Sequence, residues 1–151
     1  MKNTFLLVIC TLLVLLFSYT AISKLSNMTM FIHDLNSQPY GRYWSGIARW
    51  AIPGVELLTA FCLVSTRFRS VGLWASLVLM TVFTMYIFLI LVGVFPKRPC
   101  SCAGVFRGMG WLAHFCFNLL FTAIAWAGTR LDRPNLSTSS ASIFFNKKHL
   151  S

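Results

Sequence analysis

Four long apolar runs constrain the fold of this chain more than any other feature of its sequence. The runs cover residues 5–23, 50–66, 70–95 and 108–129, and Glu56 is the one Asp, Glu, Lys or Arg within them. A helix needs about 20 apolar residues to cross the hydrocarbon core of a bilayer. Because backbone polar groups cannot stay unpaired in that core, each run must form a helix. The sequence therefore predicts an all-α membrane protein, an antiparallel bundle of four transmembrane helices.

The charge distribution also indicates a membrane protein. Hydrophobic residues make up 57% of the chain and charged residues 11%, which is too few to cover a water-facing surface. The net charge is +10, but the 13 Lys and Arg residues lie between or beyond the apolar runs. Basic residues in those positions anchor helices at lipid headgroups. We therefore expect the lipid bilayer as a partner and no nucleic acid.

The first apolar run has two interpretations. With Lys2 before it, the run could be the core of a cleaved signal peptide. Its apolar stretch is long, however, and no small-x-small cleavage site follows it. The pattern favours a retained transmembrane helix.

Two parts of the chain are expected, a membrane domain over residues 1–133 and a basic, disordered C-terminal tail over residues 134–151. The tail is rich in serine and carries Lys147 and Lys148, a composition that cannot form a packed core. With both termini in the cytoplasm, seven of the 13 Lys and Arg lie inside and six outside. The short basic turn at residues 67–70 favours this orientation, although the charge counts alone barely distinguish the two.

A short additional helix is predicted in the first outer connection. Apolar residues recur there at helical spacing, as in a helix that lies in the membrane interface. Turn residues at 38–41 end it. The apolar stripe consists of Met28, Phe31, Ile32 and Leu35, and the aromatic residues that follow are Tyr40, Tyr43, Trp44 and Trp50.

Cys100 and Cys102 are separated by one residue in the connection before the fourth run. A disulfide between them would close a small and strained ring, and strain makes the bond labile. Lys97 and Arg98 just upstream favour the thiolate, as does the start of the fourth helix downstream. The pair is therefore predicted to exchange electrons or to bind a soft metal. A static disulfide, or two cysteines without a role, is the alternative.

If the cysteine pair binds a soft metal, copper is the candidate. Thioether, imidazole and thiolate groups are the ligands that soft copper selects. Met28, Met30 and His33 would supply the first two if their segment met the cysteine loop. The amphipathic stripe explains Met28 without a metal.

Three further cysteines lie within the runs, at Cys10, Cys62 and Cys116. Free cysteine packs as a small apolar residue in such positions. Cys116 lies in the same half of the bundle as the cysteine loop and could act as a third thiol. Packing in the core is the expectation for its side chain.

Glu56 is predicted to face the bundle interior, because an ionisable group is costly inside a membrane. Pro53, three residues earlier, leaves one backbone carbonyl without its helical partner and favours a kink. Glu56 could stay protonated, carry protons, or form a structural ion pair with Lys24 or Arg49. The sequence leaves these alternatives open.

His114 and Asn118 stand four residues apart on the fourth run and so share one face of a helix. Trp111 and Thr122 extend this polar stripe. A polar stripe in a membrane helix usually forms hydrogen bonds to another helix. His114 and Asn118 are also the residues that could contact a quinone, and His114 could hold a haem iron.

Several segments together resemble a known family. Residues 17–25 read FSYTAISKL, residues 52–57 read IPGVEL, and residues 99–105 read PCSCAGV. With Phe31, Leu35 and Gln38-Pro39 between the first two, the chain is similar to the MauE-type methylamine-utilisation proteins of the wider DoxX-like membrane group. The resemblance covers roughly residues 5–130.

The resemblance implies a four-helix bundle of the bacterial cytoplasmic membrane with a redox-associated role. MauE-type proteins are linked to maturation of a disulfide-rich periplasmic amine dehydrogenase subunit, and DoxX-like relatives to quinone-coupled sulfur oxidation. The resemblance makes Cys100 and Cys102 the redox pair and Glu56 the membrane acid. The family usually has Gly directly after the second cysteine, whereas this chain has Ala103 before Gly104.

Together these observations predict thiol–disulfide electron transfer between the membrane and a periplasmic partner. The partner would be a thioredoxin-like protein or a disulfide-rich client, and the chain would be a component of a thiol–disulfide oxidoreductase system. Cys100 and Cys102 would exchange electrons, and Glu56 and His114 would handle protons or contact a quinone. The alternatives are a non-enzymatic assembly subunit and a copper-handling protein.

Overall fold

The computed structural model describes residues 2–36, 41–94 and 110–132. Those residues form α-helices joined by short turns, with no β-strand among them. The helices are α1 (Lys2–Ser26), α2 (Met28–Asn36), α3 (Gly41–Val64), α4 (Arg69–Leu91) and α5 (Trp111–Leu131). The predicted all-α fold class is confirmed.

Four of the helices are long and apolar enough to cross a membrane, namely Lys2–Ser26, Trp44–Val64, Arg69–Leu91 and Trp111–Leu131. They correspond in order to the four predicted runs. The main difference is at α3, which begins at Gly41 although the apolar run begins at residue 50. Arg42 and Arg49 interrupt the apolar pattern there, but arginine is a good helix former and does not end a helix.

The short helix of the first connection is present as α2. It is separated from α1 by the single turn residue Asn27, whose carbonyl accepts a hydrogen bond from the Phe31 amide at 3.0 Å. Phe31 is buried, as expected for a residue of the apolar stripe. The location of α2 in the membrane interface stays a prediction.

The inner face of α1 is a continuous stripe that runs the length of the helix. Its buried residues recur every three or four positions and end in a charged residue. They are Leu6, Cys10, Leu13, Phe17, Ala21 and Lys24. The opposite faces of the spanning helices expose large apolar side chains such as Leu7, Phe61 and Val78. Helices that are apolar on all sides suit a lipid environment.

Two glycines allow the helices to approach closely near the chain termini. A Cβ atom on Gly72 of α4 would lie 2.8 Å from the Leu63 amide nitrogen of α3. A Cβ on Gly128 of α5 would lie 2.8 Å from Leu73 Cδ2 and 3.0 Å from Ile9 Cγ2. Small residues at such positions are the usual means by which membrane helices pack closely.

The bundle therefore has two distinct ends. At the terminal end, Arg69 at the start of α4 pairs with Asp132 just after α5, with Arg69 Nη2 2.9 Å from Asp132 Oδ1. At the opposite end α1 stops, α3 and α5 begin, and α4 stops. The chain leaves that opposite end after Val94 and re-enters it at Gly110. Cys100, Cys102 and the predicted tail at residues 134–151 lie outside the described residues, so the domain boundary stays a prediction.

Candidate functional site: a buried ion pair and its cavity

Lys24 and Glu56 form an ion pair inside the bundle. Lys24 Nζ donates a hydrogen bond to Glu56 Oε1 at 2.6 Å, and the side chains are 8% and 1% exposed. Lys24 is the last residue of the buried stripe on α1, and Glu56 lies on α3 just after the buried Pro53. Arg49, the other predicted partner, is exposed on α3. Pairing with Lys24 is thus the alternative that the structure shows.

The pair leaves one polar atom unsatisfied. Glu56 Oε2 is buried and has no hydrogen-bond partner within the described ranges. The Lys24 ammonium also lies over the Phe83 ring of α4, 5.7 Å from its centroid. A buried carboxylate oxygen without a partner is costly. Glu56 Oε2 is therefore the atom in this part of the bundle that most needs a hydrogen-bond donor.

A cavity of about 40 Å³ adjoins the ion pair, and all four spanning helices line it. One wall is polar and the other is largely aromatic. Its lining consists of Leu16, Phe17, Thr20, Lys24, Glu56, Met80, Phe83, His114, Phe117 and Asn118. A volume of this size holds roughly two or three water molecules.

His114 and Asn118 share the inward face of α5, as their spacing predicted. Both are buried and both line the cavity. The Asn118 side-chain amide donates a hydrogen bond to the His114 carbonyl oxygen at 3.3 Å. One turn further, Thr122 Oγ1 lies 3.1 Å from Thr84 Oγ1 of α4, which is the interhelical hydrogen bond expected from this stripe. The structure thus brings Glu56, His114 and Asn118 to one cavity.

Sequence reasoning named Lys24 as one of two possible partners of Glu56, but it did not include Thr20 or the aromatic wall in the site. Thr20 lies four residues before Lys24 and therefore on the same face of α1, a spacing that could have indicated it. The aromatic wall, formed by Phe17, Phe83 and Phe117, carries no comparable signal because phenylalanine is common throughout the apolar runs.

The volume of the cavity bears on the predicted quinone contact. A cavity that binds one benzene ring in another protein has a volume of about 150 Å³. The cavity beside His114 and Asn118 has about 40 Å³. Its polar groups suit a quinone carbonyl, and its volume is smaller than an aromatic ring occupies, so the quinone contact stays a prediction.

Cys116 does not pack in the core, and that expectation is wrong. Its side chain is exposed on the outer surface of α5. Two residues separate it from the inward-facing His114 and Asn118, and two residues turn a helix by about 200°. Cys10 is buried and Cys62 partly buried, in agreement with their expected packing.

The cavity extends from the middle of the bundle towards the end at which α5 begins. His114 is in the first turn of α5, and its amide donates to the Gly110 carbonyl at 3.1 Å. Glu56 and Met80 line the cavity from deeper within α3 and α4. Cys100 and Cys102 precede Gly110 by ten and eight residues in the sequence and lie outside the described residues.

One comparison with known proteins identifies a family. The family model described as Methylamine utilisation protein MauE matches residues 2–131. The match runs from the first residue of α1 to the last residue of α5 and includes the ion pair and its cavity. No curated protein and no solved structure matches the chain.

Proposed function

Since the chain belongs to the MauE family of methylamine utilisation proteins, we propose that this multi-pass membrane protein transfers electrons by thiol–disulfide exchange. Cys100 and Cys102 are the exchanging pair in this proposal. The exchange supports maturation of a disulfide-rich protein on the outer side of the bacterial cytoplasmic membrane. The family itself links the chain to methylamine utilisation.

Electrons and protons balance between the loop and its partners in the proposed exchange. A client thiolate attacks the loop disulfide, forms a mixed disulfide and releases one loop cysteine as a thiolate. The second client thiolate attacks the mixed disulfide, so the client leaves oxidised and the loop stays reduced by two electrons. The disulfide of a thioredoxin-like protein then reoxidises the loop and becomes a dithiol. The two protons that the client thiols lose equal the two that the loop thiols gain.

The observation that carries the proposal is the buried ion pair inside the bundle. A bundle that needed only stability would place apolar residues at these positions, because burying two charges costs more than packing hydrocarbon. Ionisable groups inside a membrane protein mark functional sites by default. Lys24 and His114 lie towards the end of the bundle at which α4 ends and α5 begins, and Glu56 lies deeper, within α3.

Trapping of mixed disulfides tests the exchange. Cys100→Ala and Cys102→Ala, each made alone, leave one thiol that cannot resolve a mixed disulfide. At least one variant should accumulate a covalent complex with a partner on non-reducing gels, and the complex should disappear after reduction. Cys116→Ala, at an exposed position away from the cavity, is the matched control. If neither variant traps a partner and client proteins keep their normal redox state, the proposal is wrong.

A non-enzymatic assembly role is the second candidate, because the Lys24–Glu56 pair also joins α1 to α3 and could serve structure alone. In that case the loop disulfide would be static. Thiol labelling of growing cells distinguishes the two roles. An exchanging pair alternates between reduced and oxidised forms when the client is present or absent, whereas a structural bridge stays oxidised in both conditions.

A further inference from the structure

The unpartnered oxygen of Glu56 needs a hydrogen-bond donor. The Glu56 side chain is 1% exposed, and its Oε2 atom accepts no hydrogen bond from the residues that the structure describes. Leaving such an atom without a partner costs about 1–3 kcal/mol, and more when the group is charged. The cavity beside Glu56 is where a donor can be accommodated.

The chemistry of the cavity limits what can occupy it. Its volume of about 40 Å³ is well below that of a cavity that binds benzene, about 150 Å³. The Lys24 ammonium disfavours a second cation, and its contact with Glu56 leaves no net charge for an anion to neutralise. Water fits both the volume and the lining, because a buried water needs two to four polar partners. Thr20, Lys24, Glu56, His114 and Asn118 provide them.

We infer that this cavity is a hydrated proton-binding site, in which two or three water molecules bridge Glu56 Oε2 to Lys24 and His114. Lys24 keeps two further N–H donors beyond the one it gives to Oε1. Among the described residues, the titratable groups that line the cavity with Glu56 are Lys24 from α1 and His114 from α5. The α4 residues at the cavity, Met80 and Phe83, do not titrate. Lys24 is thus a positioning residue that holds the carboxylate towards the water.

The coupling of this site to redox chemistry rests on the proposed function. When the loop disulfide is attacked, the departing loop thiolate takes up a proton. In the coupled step Glu56, which is protonated while the loop is oxidised, gives up that proton through water, so the O–H bond breaks and an S–H bond forms. The proton that the client thiol loses passes to solvent. The carboxylate that remains is the species paired with Lys24 in the structure. Reoxidation of the loop returns the proton to Glu56, and no electron passes through the site.

The hydration can be measured directly, because Glu56 is the only glutamate in the chain. Protein labelled with carboxyl-¹³C glutamate and reconstituted in lipid gives one side-chain signal in solid-state NMR. Magnetisation transferred from water should reach this carboxyl at short mixing times, although the residue is buried. Transfer no faster than to the side-chain carbons of Leu73, which is buried and does not line the cavity, would overturn the inference.

Two variants sharpen the NMR measurement. Asn118→Leu removes a polar lining group at nearly constant volume and should slow the transfer from water. Lys24→Met should change the signal at pH 7 from that of a carboxylate to that of a neutral acid, since an isolated charge is costly there. Lys2→Met, at an exposed position at the start of α1, should change neither property. An unchanged carboxylate signal in Lys24→Met would contradict the role assigned to Lys24.

A second measurement tests the coupling. The rate at which the loop pair exchanges with glutathione disulfide is followed in wild type, in Glu56→Gln and in the control Asp132→Asn. Glu56→Gln should slow exchange by about 100-fold, the effect typical of a lost acid–base group. If Glu56→Gln exchanges as fast as wild type and NMR shows a hydrated Glu56, the proposed coupling is wrong and the proposed water site stands. Absence of any exchange in wild type would reject the proposed function, and the NMR result would still decide the hydration.

Discussion

The Lys24 side chain takes an unusual course for a lysine near the end of a membrane helix. Lysine in that position normally extends its stem towards the headgroups and keeps its ammonium in water. Lys24 is two residues from the end of α1, yet its side chain is 8% exposed and turns inward to Glu56. The attraction of a buried carboxylate at 2.6 Å therefore outweighs hydration at the interface. Each of the two charges is stabilised inside the bundle by the other.

Removal of Lys24 alone should be strongly destabilising. Lys24→Met keeps most of the apolar stem but leaves Glu56 without its cation, and loss of one partner of a buried pair costs about 3–5 kcal/mol. The free energy of unfolding, measured by titration with SDS in mixed micelles, should fall by this amount. Lys2→Met, at an exposed position on the same helix, is the control and should leave it nearly unchanged.

The double variant Lys24→Met/Glu56→Leu should recover most of the stability lost by Lys24→Met. Replacement of a buried pair by packed apolar residues is often neutral or stabilising. If the two substitutions instead reduce the free energy of unfolding additively, the residues do not act as a pair. The double variant should nevertheless lose the function of the site.

The partner of Glu56 could not be chosen from the sequence. Lys24 directly follows the first run and Arg49 directly precedes the second, and neither position fixes which helix face turns inward. The choice depends on the packing of α1 on α3, which aligns the last buried residue of α1 with Glu56. The side-chain pairing is thus a tertiary property, whereas the inward location of Glu56 follows from the cost of burying a charge in lipid.

At the level of helices, the close contact between α3 and α4 requires glycine at position 72, where there is no side chain. A Cβ atom on Gly72 would meet backbone atoms, with Leu63 N at 2.8 Å and Cys62 C at 3.0 Å, and backbone cannot rotate away. Gly72→Ala should therefore lower the free energy of unfolding by about 1–3 kcal/mol, the usual cost of overpacking.

Gly46→Ala in α3 is the matched control for Gly72→Ala. No atom lies within 4 Å of a Cβ built on Gly46, so the change adds a methyl group in open space. Because alanine is the better helix former, the free energy of unfolding should stay equal or rise by up to about 1 kcal/mol. Equal effects of the two variants would mean that α3 and α4 do not pack this closely.

The Thr84–Thr122 hydrogen bond joins α4 to α5, and a double-mutant cycle can measure its strength. Thr84→Val and Thr122→Val remove the hydroxyl groups that lie 3.1 Å apart and keep the side-chain shape. Interhelical hydrogen bonds in membrane proteins average about 0.6 kcal/mol, so we expect a coupling energy of that size in the free energy of unfolding. A coupling energy of zero would show that each hydroxyl is satisfied by its own helix. Each hydroxyl has one proton, so the threonine that donates across the interface gives up its alternative bond to the carbonyl four residues earlier.

The four spanning helices could be predicted from the sequence, but the faces that they turn towards the core could be predicted only in part. Lipid leaves an apolar segment no alternative to the helix, so run length alone predicts the four spans. Lipid also tolerates apolar residues on every side, so hydropathy does not tell which side faces the core. The polar pair His114 and Asn118 oriented α5 correctly, and the same pair should have placed Cys116 outside. The start of α3 was missed because helix propensity continues through Arg42 and Arg49.

On the scale of the whole molecule, the bundle separates its charged groups into two ends with different roles. The Arg69–Asp132 pair lies near the chain termini and is partly exposed, so it joins α4 to the end of α5 at the water boundary. The Lys24–Glu56 pair is buried deeper in the bundle, beside a cavity that extends towards the opposite end. Chemistry that depends on water and protons is therefore expected at the end from which the cysteine connection leaves, with structural anchoring at the other.

The proposed function requires one orientation of this bundle. Thiol–disulfide exchange with secreted clients is possible only in an oxidising compartment, because cytosolic thiols are kept reduced. We therefore expect Cys100 and Cys102 to face the periplasm and both termini to face the cytoplasm. In a variant with Cys10, Cys62 and Cys116 replaced by Ala, a membrane-impermeant maleimide should label the loop thiols of intact cells after mild reduction. A fluorescent protein fused to the C-terminus should fluoresce, and alkaline phosphatase fused there should be inactive.

The opposite labelling pattern has a different physical meaning. Loop thiols that react only after the membrane is permeabilised, with active phosphatase at the C-terminus, would place the ion pair and its cavity at the cytoplasmic end. Periplasmic exchange would then be impossible for Cys100 and Cys102. The helix pairings would not change, because the contacts at Gly72, Gly128 and Lys24 are the same in either orientation. Topology therefore decides the function of this protein independently of its fold, and the seven-to-six division of basic residues in the sequence cannot decide it.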